Sequence, residues 1–183
     1  MGKEREGPEK ELKKWMVAAD FSRIEGMKLY GAGITDSKHL DLLVSMLKDF
    51  PYVGKLRSAQ KRAVVQSFPV KFRKYENYVN LFVSPSVKKV IDFVEKNVGN
   101  SPATLVVDPK VYRGIKARFS GKSVEIFVED KKELRHIFDE FMHRAVSSLL
   151  NVVDVSIRWS ANLFRDRNVK NYVHISKGNR EQR

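Results

Sequence analysis

Cysteine is absent from this chain of 183 residues, which removes disulfide frameworks, thiolate metal sites and cysteine nucleophiles. Long apolar runs are missing too. The uncharged stretch from Ala145 to Val153 falls far short of the ~20 residues that cross a bilayer. Gly2-Lys3-Glu4-Arg5-Glu6 lacks the apolar core of a secretory signal. These absences lead to the expectation of a soluble, cytoplasmic protein that makes no use of a membrane. Only three Gln occur, against abundant Lys, Glu and Arg, a composition that fits a thermophile and is tempered by nine Asn. Phosphate-cradling loops fail as well. Gly121-Lys122-Ser123 ends like a P-loop, but Lys116 stands where that motif needs glycine. Gly31-Ala32-Gly33 would need a further glycine at Asp36 to make a dinucleotide fingerprint. No cofactor is expected.

Carboxylates are the scarce charge. Lys and Arg total 35 against 22 Asp and Glu, a formal charge of +13. So large an excess opposes compaction by self-repulsion and suits a polyanionic partner. Hydrophobic residues are 42% of the chain, enough to bury a core and to exclude a disordered polycation.

The positive charge is concentrated. Pro51 to Tyr75 holds Lys55, Arg57, Lys61, Arg62, Lys71, Arg73 and Lys74 with no carboxylate. Pro109 to Val124 holds Lys110, Arg113, Lys116, Arg118 and Lys122, again with none. The two stretches align at an offset of 45 positions: Val70-Lys71-Phe72-Arg73 lies over Ile115-Lys116-Ala117-Arg118, and Val79, Leu81, Phe82 and Val83 over Val124, Ile126, Phe127 and Val128. As paired strands, each unit puts two cations on one face, and its returning strand adds one ring, Phe82 or Phe127. A basic and aromatic sheet face suits RNA or single-stranded DNA, with phosphates on the cations and bases on the rings. Tyr75 and Tyr78 near the turn are further stacking candidates, and Arg165 and Arg167 add cations in a C-terminal loop.

The expected fold is α+β: repeated β-hairpin–helix units forming antiparallel sheet with helices on one face. Residues 1–14 read as a charged tail. Residues 15–61 form a first unit, with strands 15–21 and 27–34 and a helix capped by Asp36 or Ser37 whose Leu40, Leu43, Met46, Leu47 and Phe50 share a face. Residues 62–103 and 104–150 are the two related repeats. Their hairpins are 63–74 with 78–83, and 113–119 with 123–128. Their helices follow Ser84 and Asp130, the second running from 130 to 150. Residues 151–176 read as a terminal strand pair, Val152–Trp159 with Val169–Ile175, and 177–183 as a basic tail.

Metal and enzyme chemistry compete with this expectation. His136, Glu140 and His143, with Asp139, share one helical face, but solvated helix faces are rich in such residues and no metal site is expected. Asp20, Glu25, Asp36 and Asp41 cluster in the first unit, which keeps a Mg²⁺-dependent nuclease open as an alternative. Ile34-Thr35-Asp36-Ser37-Lys38 resembles the Asp-Ser-Lys element of type 2 ribonucleases H. The Asp-Glu-x-Gly strand of that family is absent, with Ala19-Asp20-Phe21 in its place, so the likeness carries no assignment. The stretch Arg113–Leu150 is similar in pattern to the small dimerising subunits of the tRNA threonylcarbamoylation complex. That likeness implies a scaffold subunit of a ribonucleoprotein or tRNA-modification complex, with protein partners and a homodimer. The leading expectation is a non-enzymatic nucleic-acid-binding protein.

Overall fold

In a computed structural model the chain folds as mixed α+β, and residues 13–176 and 179–182 are described. The first hairpin is where the sequence puts it. β1 (Trp15–Ile24) and β2 (Met27–Asp36) pair antiparallel in an unbroken register from Trp15 opposite Asp36 to Ile24 opposite Met27. Glu25 and Gly26 turn between them at φ +49° and +84°, the two positive values a tight hairpin turn requires. Asp36 caps a short 3₁₀ turn by accepting from the Lys38 N–H at 3.0 Å. α1 (Leu40–Met46) follows and buries Leu40, Leu43 and Met46.

The first basic stretch is helix, not strand. α2 spans Ser58–Phe72, so Lys61, Arg62 and Lys71 are helical, and Arg73 and Lys74 sit in the turns beyond. Phe68, Phe72 and Tyr75 recur at i, i+4 and i+7 and are buried together against Phe50. This helical period outweighs the period-two reading that the β-branched residues suggested. The second basic stretch behaves alike. α4 (Pro109–Arg118) buries Val111 and Ile115, with Phe119 one turn on. The 45-residue offset therefore relates two helix–strand units: α2 with β3 (Val79–Ser84), and α4 with β5 (Val124–Val128).

Between them come α3 (Val87–Val98), capped by Ser86, and β4 (Ala103–Val107). α5 (Lys131–Ile137) and α6 (Glu140–Arg165) occupy the span expected as one helix followed by a strand. Asp139 starts the second helix by accepting from the Met142 N–H at 2.7 Å. Val152–Trp159 is thus the middle of a 26-residue helix. Its β-branched run is accommodated because packing on both sides, rather than intrinsic propensity, decides a buried helix. β6 (Val173–Ser176) pairs with β3 instead, and β7 (Asn179–Gln182) lies outside it, so part of the expected tail is an edge strand. Residues 1–12 of the expected N-terminal tail lie outside the described residues.

The strands form one sheet in the order β5-β4-β1-β2-β3-β6-β7. β1, β4 and β5 are mutually parallel and the other neighbours antiparallel, which corrects the all-antiparallel expectation. Helices cover both faces. α1, α2 and α6 pack on Met16, Ala18, Leu81 and Val106, while α3 and α4 pack on Val17, Ala19, Phe82 and Leu105. Parallel strands need crossover helices, and those helices must cover faces. α6 comes down onto β2 at two glycines. A Cβ at Gly31 would stand 2.7 Å from Ile157 Cγ1, and one at Gly33 2.9 Å from Val153 Cγ2. The Gly-Ala-Gly run, empty as a nucleotide motif, is a seat for a helix.

Candidate active site

The parallel register brings three carboxylates together. Ala19 pairs with Val107, and Val107 with Val128. The next residue of each strand is acidic: Asp20, Asp108 and Glu129. Backbone bonds carry the ladder one step further, from the Asp108 N–H to Ala19 O and from the Glu129 N–H to Val107 O, both 2.8 Å. Each of the three carboxylates offers an oxygen within 4.8 Å of those of the other two. The carboxyl ends of parallel strands are where open sheets of this kind bind ligands.

A fourth carboxylate arrives from the helix above. Asp20 faces the α6 side with Ala18 and Ser22, and Asp154 accepts from Ser22 Oγ at 3.2 Å. Arg158, one turn on, donates to both Asp154 oxygens at 3.1 and 3.2 Å. Ile157 seated on Gly31 sets the height of α6 at this point, because Gly31 is the partner of Asp20 across the hairpin.

The electrostatics of Asp20 follow. Burial, then Glu129 and Asp154, with Asp108 smaller, push its pKa from 3.8 up to about 8, while the N–H of Phe21 donating at 2.7 Å pulls it down. A carboxyl held protonated by burial and by crowded like charges is in the condition a divalent cation relieves. Hard oxygen donors without thiolate or imidazole suit Mg²⁺ or Mn²⁺, so the residues fit such an ion.

Asp20, Glu129 and Asp154 line a cleft of about 340 Å³. Lys55, Arg135 and His143 line it too, with Tyr52, Ser147 and Asn151. Cations from the first basic stretch and from α5 thus meet the acids, although they are distant in sequence.

The expected binding residues are dispersed. Phe82 is 8% exposed and stacks on Phe93 and Tyr172, at 4.8 and 5.2 Å, on the α3 side. Phe127 is half-buried on the α6 side against Phe138, 5.1 Å away. The two rings face opposite sides of the sheet and form no shared platform, which corrects that expectation. Tyr75 is buried, and Tyr78 exposed. Arg118 pairs with Asp92 at 2.7 Å and Glu95 at 2.5 Å, and Lys122 with Glu95 at 3.1 Å. Those hydrogen bonds from Arg118 and Lys122 hold the Glu95 carboxyl below its usual range. α3 thus supplies the acids that the second basic stretch lacks. Lys116 lies over Tyr112, Lys74 pairs with Asp49 at 2.7 Å, and Arg165 with Glu25 at 3.1 Å. Arg167 is exposed at φ +56°. Arg57, Lys61, Arg62, Lys71 and Arg73 belong to α2 and its ends, in the layer that holds α6.

The acidic set expected in the first unit is also rearranged. Asp36 pairs with Trp15, five residues and so roughly 17 Å along the strand from Asp20. Glu25 is at the hairpin turn, and Asp41 in the first turn of α1. Only Asp20 stays in the site. Asp108 and Glu129 escaped sequence reading because each sits at an ordinary strand-to-helix junction: Asp108 is itself the N-cap of α4, accepting from the Lys110 N–H at 2.6 Å, and Glu129 stands next to Asp130, the N-cap of α5. The signal available was that both directly follow a strand. His136 and Glu140 are on different helices, parted by the break at Phe138 and Asp139.

No protein-family model and no curated protein matches the chain.

Proposed function

We propose that the protein is a divalent-metal-dependent nuclease that hydrolyses phosphodiester bonds of RNA or DNA in the cleft below α6. One observation carries the reading: Asp20, Asp108 and Glu129 crowd together where the parallel pairing of β1, β4 and β5 stops, and two of them, Asp20 and Glu129, line a cleft that also holds Asp154, Lys55 and Arg135. A nucleic-acid partner remains the choice that the +13 charge favours. What changes is the chemistry assigned to it.

Asp20, Asp108 and Glu129 would hold the ion, with Asp154 beside them. A bound Mg²⁺ or Mn²⁺ supplies an activated water and stabilises the leaving oxygen of a phosphodiester. Arg158 orients Asp154 through its two hydrogen bonds. Lys55 and Arg135 meet the flanking phosphates as cations. His143 contributes, within the same cleft, an imidazole able to hydrogen-bond a phosphate or a water.

A docking role is supported separately by Ile137 and Phe141, 48% and 44% exposed near the α5–α6 break, and is compatible with catalysis. The test of the nuclease reading is cleavage of end-labelled RNA and DNA oligonucleotides in Mg²⁺ or Mn²⁺, with EDTA and the Asp20→Asn variant as controls. Cleavage that needs both the metal and Asp20 is the expected result. A folded wild-type protein that binds oligonucleotides and never cuts them returns the protein to the binding-only class.

A further inference from the structure

The cleft carries an aromatic ring that lies against a glycine. Phe50 is fully buried, and its carbonyl oxygen accepts from Asn151 Nδ2 at 3.1 Å, which ties the incoming chain to α6. Pro51 follows, with its fixed φ. Tyr52 then precedes a single 3₁₀ turn, Val53–Lys55, and its carbonyl accepts from the Lys55 N–H at 3.3 Å. Gly54 lies against the ring. A Cβ there would stand 2.5 Å from Tyr52 Cζ and 2.6 Å from its hydroxyl oxygen. Glycine alone leaves the ring where it is. The ring is nonetheless 42% exposed, and it lines the same cleft as Asp20, Glu129 and Lys55.

An exposed, positioned aromatic beside a cation is what base stacking uses. The ring takes the face of a base and the cation takes the adjoining phosphate. A paired base in a duplex presents its edges in the grooves, while its faces are covered by its neighbours. We propose that Tyr52 stacks on an unpaired base next to the scissile phosphodiester, so that the site selects single-stranded nucleic acid. The substrate class rests on the nuclease reading above. Stacking itself can be measured without it.

Two readouts keep them apart. Binding is followed by fluorescence anisotropy, with Ca²⁺ in place of Mg²⁺, on a single strand, the same strand with abasic residues, and a blunt duplex. Tyr52→Ala is expected to weaken single-strand binding roughly 5- to 150-fold, with Tyr52→Phe within about twofold of wild type. Gly54→Ala, which displaces the ring and keeps it, is expected to fall between them. The abasic strand is expected to bind the wild type and Tyr52→Ala equally. Cleavage in Mg²⁺ is expected to show the same order, with the duplex the poorest substrate. Equal single-strand binding by wild type and Tyr52→Ala overturns the proposal, as does an equal loss on duplex and abasic strand. If the binding pattern appears and no variant cleaves, stacking stands and the nuclease reading falls.

Discussion

Asp20 sits in an environment far from that of its free side chain. Its pKa, 3.8 ordinarily and about 8 in the fold, means that the folded state keeps a proton the unfolded state releases. A raised value contributes stability that is fully present below about pH 4 and is lost as pH rises through about 8. The metal-free protein should therefore melt at progressively lower temperature from pH 5 to pH 8.5. Asp20→Asn should flatten that slope, and Mg²⁺ should raise the melting temperature more at pH 8 than at pH 6, since an ion must displace the proton. Thermal melts of the two proteins with and without metal check this. A wild-type slope no steeper than that of Asp20→Asn would show that burial and the neighbouring carboxylates do not hold a proton on Asp20.

Elements explain what the sequence discloses and what it hides. The first hairpin, α1, α3 and the strands β3 and β5 are legible because local signals agree: turn residues at 25–26, a cap at Asp36 and a clean apolar face along α3, whose cap is Ser86 rather than the Ser84 that the sequence suggests. α2, α4 and the middle of α6 mislead because β-branched residues suggest strand while the burying spacing, as in Phe68, Phe72 and Tyr75, is helical. The site is hidden for another reason. It is made by parallel pairing between segments nearly ninety positions apart, and no local pattern announces which strand ends become neighbours.

The glycines under α6 offer an element-scale test. Gly33→Ala places a methyl group 2.9 Å from Val153 Cγ2 and 3.1 Å from Leu149 Cδ1, and overpacking of this kind costs about 1–3 kcal/mol. Chemical denaturation should show a loss in that range. A neutral result would mean that α6 slides freely on β2. The two basic helices offer another. Lys116, Arg118 and Lys122 lie across the sheet from the cleft, and two of them are engaged by α3 carboxylates. Replacing all three with Ala should leave nucleic-acid affinity nearly unchanged. Replacing Lys55, Arg57, Lys61 and Arg62 should weaken it. The salt dependence should also flatten, by about 0.7 log unit per log unit of salt for each single-strand phosphate that is no longer neutralised. Salt-titrated binding of the quadruple- and triple-substituted proteins distinguishes the helices, and equal effects would contradict the division.

At the scale of the whole molecule, the chain carries an excess of 13 positive charges, and among the described residues one group of carboxylates is gathered closely enough to hold a metal ion. On the proposed reading, the charge would draw a polyanion to the surface and the carboxylates would give it somewhere to react. The reading of nucleic acid as partner rests on the first of these, and the reading of chemistry on the second. The most direct test exploits the distance between Asp36 and Asp108. Asp36 is near Asp20 in sequence and at the far end of the hairpin in space, while Asp108 is 88 positions from Asp20 and adjoins it in the sheet. Metal-dependent cleavage of a labelled single strand should be abolished in Asp108→Asn and retained in Asp36→Asn, with both proteins folded. Retention in Asp108→Asn, or loss in Asp36→Asn instead, would contradict a catalytic site where β1, β4 and β5 bring the three carboxylates together.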